Sequence, residues 1–253
     1  MMRIYGLTGF PLHHSFSPAY FLHKFQSEGI TDAAYRLFPI QSIAEIQELL
    51  NSQAISGLNV TIPYKESIIP FLDELDEIAA AVGAVNTIRI HILQDGFHLK
   101  GYNTDVLGFR DSLLPLLKKT HTHALILGSG GSSKAIAYVL KELGIAYTKI
   151  SRLATSPEFL SYADLTVEDI ANNTLIINTT PAGTAGNPAS FPCVSVVPLM
   201  QAAAAEGHLF YDLVYNPALS PFLQLGKAKG AVIKNGLEML QIQAEASWQI
   251  WNT

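Results

Sequence analysis

The stretch "LILGSGGSSKAIAYVL", Leu125–Leu140, decides the fold class. An unbroken apolar run ends at Leu127, three glycines fall within the next four residues, and an apolar pattern of helical spacing begins soon after. A fully apolar strand is one buried on both faces, as in a parallel sheet with helices on each side. Glycines between such a strand and a helix let backbone approach a pyrophosphate and leave it at the helix N-terminus. Gly128, Gly130 and Gly131 occupy that turn, and Ser133 stands where the third glycine of the usual fingerprint would be. The plain alternative is a tight strand–helix turn that binds nothing.

The rhythm continues on the C-terminal side. "AYTKIS", "TLIINTT" and "HLFYDLVY" read as strands separated by helical segments. NAD sites usually carry an acidic residue at the end of the strand after the glycine turn. Here that strand ends in Ser151 and Arg152. An arginine there pairs with a 2′-phosphate, which favours NADP; the alternative is a solvent-facing arginine.

On the N-terminal side, "RIYGLTG", "AAYRLFPI" and "ISGLNVTI" read as strands. "GAVNTIRIHI" and "GFHLKGY" read as two more, joined around Asp95-Gly96 as a hairpin. "SPAYFLHKFQSEG" predicts a helix with Ser17 at the N-cap, Pro18 at the first helical position and Gly29 past its end. An amphipathic helix is expected from Asp105 to about Leu117, with Val106, Phe109, Leu113 and Leu116 on one face. The final segment, Gly236–Trp251, also has helical apolar spacing.

These elements predict two α/β domains flanking a cleft. Residues 1–104 with about 236–253 are expected to form a substrate domain with a mainly parallel sheet, and 105–235 a Rossmann-like nucleotide domain. The 253 residues are 49% apolar with a net charge of -5, which gives no footprint for nucleic acid or an anionic membrane. No run approaches the ~18 apolar residues of a membrane span. One cysteine, Cys193, excludes an internal disulfide and fits a reducing compartment, so a cytoplasmic location is expected.

Several polar residues stand where chemistry could use them. "GLNVTIPYKE" presents Asn59, Thr61 and Lys65 around a strand end broken by Pro63. Lys65 suits proton transfer to a carbonyl oxygen; the alternative is a solvated surface charge. Asp105, in "GYNTDVLGF", is either a helix N-cap or a carboxylate that orients such a lysine. Asn86 lies between small residues in a strand-like run and needs a hydrogen-bond partner. Tyr215 follows a strand of the second domain, and Gln243 sits among the apolar positions of the last helix. In "GLTGFPLHHSFSP", adjacent His13 and His14 lack a matching ligand cluster, so no metal site is expected. Ser15 lacks a base–orienter set for nucleophilic work.

Read together, "GFPLHHSFSP", "NVTIPYK", "GAVNT", "GYNTDVLG", "GSGGSSKA", "NTTPAG", "YDLVYNP" and "NGLEMLQIQA" resemble, in order, the shikimate dehydrogenase family. The resemblance covers essentially the whole chain. It implies reversible NADPH-dependent reduction of 3-dehydroshikimate to shikimate in aromatic amino-acid synthesis. It implies Lys65 and Asp105 as the proton-transfer pair, and Ser15, Ser17, Asn59, Thr61, Asn86, Tyr215 and Gln243 as holders of the substrate's hydroxyls and carboxylate. Gly128, Ser129, Gly130, Gly131 and Ser132 would cradle the pyrophosphate, and Ser151 and Arg152 would meet the adenosine phosphate. Leu213 and Gly236 match positions at the nicotinamide end. His13 and His14 would support the serine-bearing turn.

The chain departs from the family pattern in places. Phe21 and Leu22 replace a common His-Asn pair, and Ser151-Arg152-Leu153 replaces Asn-Arg-Thr. "NTTPAGT" lacks the methionine common after the glycine, and Glu238 and Gln241 stand where small and apolar residues are usual. Two rivals follow: a quinate/shikimate dehydrogenase-like paralogue using NAD, and a nucleotide-binding sensor without catalysis. Retention of Lys65 and Asp105 speaks against the sensor. Monomer and homodimer both stay open.

Overall fold

The computed structural model describes all residues except Met1, His13, His14, Asp95, 153–158 and Pro188. The chain divides into two compact units, Met1–Leu107 with Gln243–Thr253, and Gly108–Ile242.

The first unit contains β1 (Arg3–Gly9), α1 (Ser17–Ser27), β2 (Ala33–Pro39), α2 (Ile46–Ser52), β3 (Ile55–Val60), β4 (Glu74–Leu75), α3 (Glu77–Val82), β5 (Thr87–Leu93), β6 (Gly96–Tyr102) and the start of α4 (Asp105–Leu113). Its sheet runs β2-β1-β3-β5-β6-β4. β1 pairs parallel with β2 and β3, and β4 parallel with β6; the β3–β5 and β5–β6 pairs are antiparallel. Because strand side chains alternate in direction, β1 serves two cores. Ile4 packs with the aliphatic cluster around Ile46, Leu58 and Ile88, whereas Tyr5 joins Phe21, Phe25 and Trp251.

α1 corrects one expectation. Ser17 is its first helical residue, and Phe16 occupies the N-cap without a side-chain cap bond. The Ser17 hydroxyl lies instead toward the Tyr35 phenol, whose pKa burial drives well above its ordinary value while Ser17 opposes the rise. α4 also stops early. Pro115 sits in a 3₁₀ turn at Leu114–Leu116, because proline lacks the amide that an α-helix interior needs.

The second unit contains β7 (His123–Leu127), α5 (Gly131–Glu142), β8 (Ala146–Ser151), β9 (Phe159–Ser161), α6 (Val167–Asn172), β10 (Leu175–Asn178), α7 (Val196–Ala203), β11 (Leu209–Asp212), α8 (Pro221–Ala228), β12 (Val232–Asn235) and the start of α9 (Leu237–Trp251). Its sheet runs β12-β11-β10-β7-β8-β9, and every neighbouring pair is parallel. Leu125–Leu127 and Leu175–Ile177 are buried throughout, as strands covered on both faces must be. The strand order reverses at β7, so the turn after it opens at the switch point where doubly wound sheets bind ligands.

No helix among the described residues is long and apolar enough to cross a membrane. Among the described residues, the hydroxyls of Thr8 and Tyr162 are buried without a hydrogen-bond partner. Desolvation of an unpaired hydroxyl is a cost that phenylalanine avoids at nearly the same volume. Tyr162→Phe should therefore leave stability unchanged or raise it by about 1 kcal/mol. A urea titration checks this, and a clear loss would show that the hydroxyl has a partner.

Candidate functional site

In the first unit, backbone pairing brings separate stretches of sequence to one place. The carbonyl of Lys65 accepts from the Val85 amide at 2.7 Å, and the Val60 amide donates to the Asn86 carbonyl at 2.8 Å. These bonds set Lys65, two residues after Pro63, beside the strand that Asn86 precedes. Across that junction the Lys65 ammonium donates to Asp105 Oδ2 at 2.6 Å. The side chains are only 13% and 8% exposed, so water does little to weaken the pair.

Asp105 is the first residue of α4, but its carboxylate does not serve as the cap envisaged as one alternative. The Val106 amide donates to Asn103 Oδ1 at 3.3 Å, leaving Asp105 Oδ1 to accept from Asn86 Nδ2 at 2.9 Å. Asn86 Oδ1 in turn accepts from the Thr104 amide at 2.7 Å. The backbone thus fixes which end of the Asn86 amide faces Asp105. Gln243, on α9, brings its Oε1 within 3.4 Å of both Asn86 Nδ2 and Thr104 Oγ1.

Asn59, at the end of β3, lies one layer behind. Its Nδ2 contacts Thr87 Oγ1 at 3.1 Å and Ser247 Oγ at 2.9 Å, and its Oδ1 accepts from the Tyr35 hydroxyl at 2.8 Å. Both ends of that amide are engaged within the unit. Ser17 reaches the same group through Tyr35. Thr61 follows β3 half-buried, its amide bonded to the Thr8 carbonyl at 2.9 Å. Ser15 is half-buried in the turn before α1, its amide bonded to the Leu12 carbonyl at 3.1 Å. His13 and His14 lie outside the described residues. Lys65, Asp105, Asn86, Asn59 and Gln243 are therefore joined in one network, with Ser17 attached through Tyr35. Tyr215 belongs to the other unit, half-buried in the loop after β11.

In the second unit, Gly128 leaves β7 with φ +122°, a conformation that favours glycine. A Cβ there would also stand 2.5 Å from Thr179 Oγ1. Gly130 is the N-cap of α5 and has no side-chain cap, and a Cβ on it would meet nothing within 4 Å. The first turn of α5 holds no acidic residue to offset its positive end. Ser133, in place of the third glycine, turns its hydroxyl back to the Gly130 carbonyl at 2.6 Å. The departure from the fingerprint thus braces the turn. Ser129 is exposed, whereas Gly131 and Ser132 are half-buried. Ser151 is buried at the end of β8 and Arg152 is exposed beyond it; Leu153 lies outside the described residues. Leu213 and Gly236 lie against each other, since a Cβ at Gly236 would stand 2.2 Å from the Leu213 carbonyl oxygen.

Sequence reading did not single out Thr87, Ser247 or Tyr35. Ser247 carried a usable signal, because it lies one helical turn beyond Gln243 and so shares its face. Thr87 and Tyr35 carried none, since a threonine or tyrosine in a strand is ordinary. Among the described residues no group of three or more His, Cys, Asp or Glu side chains could hold a metal ion.

The family model of the shikimate dehydrogenase substrate binding domain matches residues 7–88. The shikimate dehydrogenase (NADP(+)) of Staphylococcus aureus strain bovine RF122 / ET3-1 is 37% identical over 98% of this chain and 91% of its own length. The crystal structure of shikimate dehydrogenase 1 from Peptoclostridium difficile superposes with a TM-score of 0.85 at 33% identity, covering 99% of this chain and 92% of that one. A Thermus thermophilus shikimate 5-dehydrogenase, solved in complex with shikimate, gives 0.80 at 28% identity over 99% of this chain and 92% of that one. Likeness in sequence and fold from end to end means that the chain belongs to the shikimate dehydrogenase family.

Proposed function

We propose that the protein reversibly reduces 3-dehydroshikimate to shikimate with NADPH, as a cytoplasmic enzyme of aromatic amino-acid synthesis. One observation carries the reading: Lys65 and Asp105, 40 residues apart, form a largely buried ion pair inside a network of neutral donors and acceptors. A small polyol acid needs such a surround, because each of its hydroxyls must find a partner that an apolar wall cannot offer.

Residues 1–104 with about 236–253 then serve the substrate, and 105–235 the cofactor. The residues of the second unit fit NADP. An uncapped helix N-terminus behind Gly128 and Gly130 suits the pyrophosphate, with Ser129, Gly131 and Ser132 beside it. Arg152, with Ser151, suits the 2′-phosphate, and Leu213 and Gly236 border the nicotinamide. When bound, NADPH supplies the hydride. Lys65 gives the proton that turns the substrate's carbonyl oxygen into a hydroxyl, and recovers it in the oxidation direction. Asp105 holds the ammonium in place, and Asn86 holds Asp105 while also meeting a substrate hydroxyl. Ser15, Ser17, Asn59, Thr61, Tyr215 and Gln243 hold the remaining hydroxyls and the carboxylate, with Ser17 and Asn59 working in part through Tyr35.

The test follows NADPH absorbance while purified protein oxidises shikimate. Turnover with shikimate and NADP+ should exceed that with quinate or with NAD+ in kcat/KM. A preference for quinate and NAD+ would assign the chain to the paralogous activity. No turnover on either acid with either cofactor would favour a sensor.

A further inference from the structure

We propose that Asp212 is a positioning residue for the cofactor face, locking the turn after β10, the loop after β11 and the first turn of α8 into one rigid surface. The inference rests on the reading that the second unit binds NADP.

Asp212 ends β11 with 0% exposure, so it cannot touch a ligand itself. Its Oδ1 accepts from Asn178 Nδ2 at 2.8 Å and from the Val214 amide at 3.0 Å. Its Oδ2 accepts from the Ser220 hydroxyl, whose oxygen also caps α8 through the Leu223 amide at 3.3 Å. Each bond ends on a different segment, and two of those segments border glycines of the candidate cofactor site. Asn178 Oδ1 accepts from the Thr180 amide at 3.0 Å and the Thr180 hydroxyl at 2.7 Å, which fixes the turn that also carries Thr179. Thr179 Oγ1 is the atom that closes on Gly128. Val214 follows Leu213, whose carbonyl fills the space in front of Gly236, and the Gly236 amide returns a bond to the Val214 carbonyl at 3.2 Å. Asp212 thus lies one step from the glycine turn on one side and from the Leu213–Gly236 contact on the other.

The three donors all point at the carboxylate, as an ionised acid requires. Burial pushes its pKa up to about 6, against the opposing pull of Ser220, the Val214 amide and Asn178. It therefore remains ionised at neutral pH and can accept all three bonds. An asparagine could keep all three contacts only with the Ser220 bond reversed, its amide donating to Oγ. An alanine would free three segments and leave buried donors unpaired.

Asp212→Ala, Asp212→Asn and the unmodified chain should be compared by calorimetric titration of NADP+, by shikimate KM at saturating NADP+, and by thermal melting. The Kd for NADP+ should rise about tenfold in the alanine variant, equivalent to a lost buried charge-assisted hydrogen bond, while shikimate KM changes less than twofold. The asparagine variant should return Kd to within about threefold of the unmodified chain, because the contacts can re-form. An alanine variant that melts cooperatively with Kd less than threefold raised overturns the proposal. So does an equal loss of affinity for shikimate, which would mark a general loss of structure. Should the alanine variant fail to fold, Asn178→Ala removes one tie only and is judged by the same threefold limit. An unmodified chain that binds no NADP+ removes the reading beneath the proposal, and that result is seen before any variant is made.

Discussion

Replacing Lys65 with alanine should lower kcat for shikimate oxidation by about 100- to 10,000-fold while KM changes only a few-fold. The first figure is the usual contribution of a placed proton-transfer group. The second follows from the surroundings: substrate hydroxyls would meet Asn86, Gln243 and their neighbours, and none of these is removed. NADP+ affinity should stay unchanged, because the glycine turn lies in the other unit. The variant also leaves the Asp105 carboxylate, 8% exposed, with Asn86 as its remaining neutral partner. An uncompensated buried charge destabilises, so the melting temperature should fall. The double variant Lys65→Met/Asp105→Asn should recover part of that loss without recovering turnover, since an amide and a thioether bury no charge. Turnover that survives in Lys65→Ala would remove Lys65 from proton transfer and move attention to Asp105.

The reasons why some features were legible lie in the range of the signals. The glycine turn was readable because strand, turn and helix are contiguous, and each leaves its own periodicity within 16 residues, Leu125–Leu140. The pairing of Lys65 with Asp105 had no local signature at all. It depends on β3, β5 and β6 lying side by side, and a pattern of alternating residues does not specify which strand is next to which. Ser17 was misjudged for a similar reason. Its neighbour Tyr35 comes from β2, and a tertiary contact displaced the local capping preference. β4, β9 and β12 passed unnoticed, and all three are sheet edges of two to four residues. An edge strand has one open side, so it needs no unbroken apolar run. Asp212, in "YDLVYNP", is likewise not among the residues that the sequence singles out. A carboxylate at the end of an apolar strand is expensive to bury, and that cost was the available clue.

Trp251→Ala should destabilise the first unit by about 3–5 kcal/mol, the range for removing a large buried aromatic side chain. Trp251 is 7% exposed, stacks on Tyr5 at 4.9 Å between ring centroids, and donates its indole N–H to the Ile88 carbonyl at 3.0 Å. Its ring also fills the space over Gly57, where a Cβ would stand 2.3 Å from the indole. The consequence for function comes from helical geometry. Gln243, Ser247 and Trp251 are spaced by four, so one face of α9 carries the two polar groups of the network and the anchor. Loss of the anchor lets that face shift against Asn59 and Asn86. Shikimate KM should rise in step with the loss of stability, whereas NADP+ Kd should not. Gly57→Ala approaches the same contact from the sheet and should cost about 1–3 kcal/mol by overpacking. In the Trp251→Ala background the added methyl enters the space the ring has left, so its cost should fall to near zero. Urea unfolding of the two single variants and the double variant measures that coupling. Strictly additive losses would mean that Trp251 does not seat α9 over Gly57, and that the last helix is held to the sheet by other contacts.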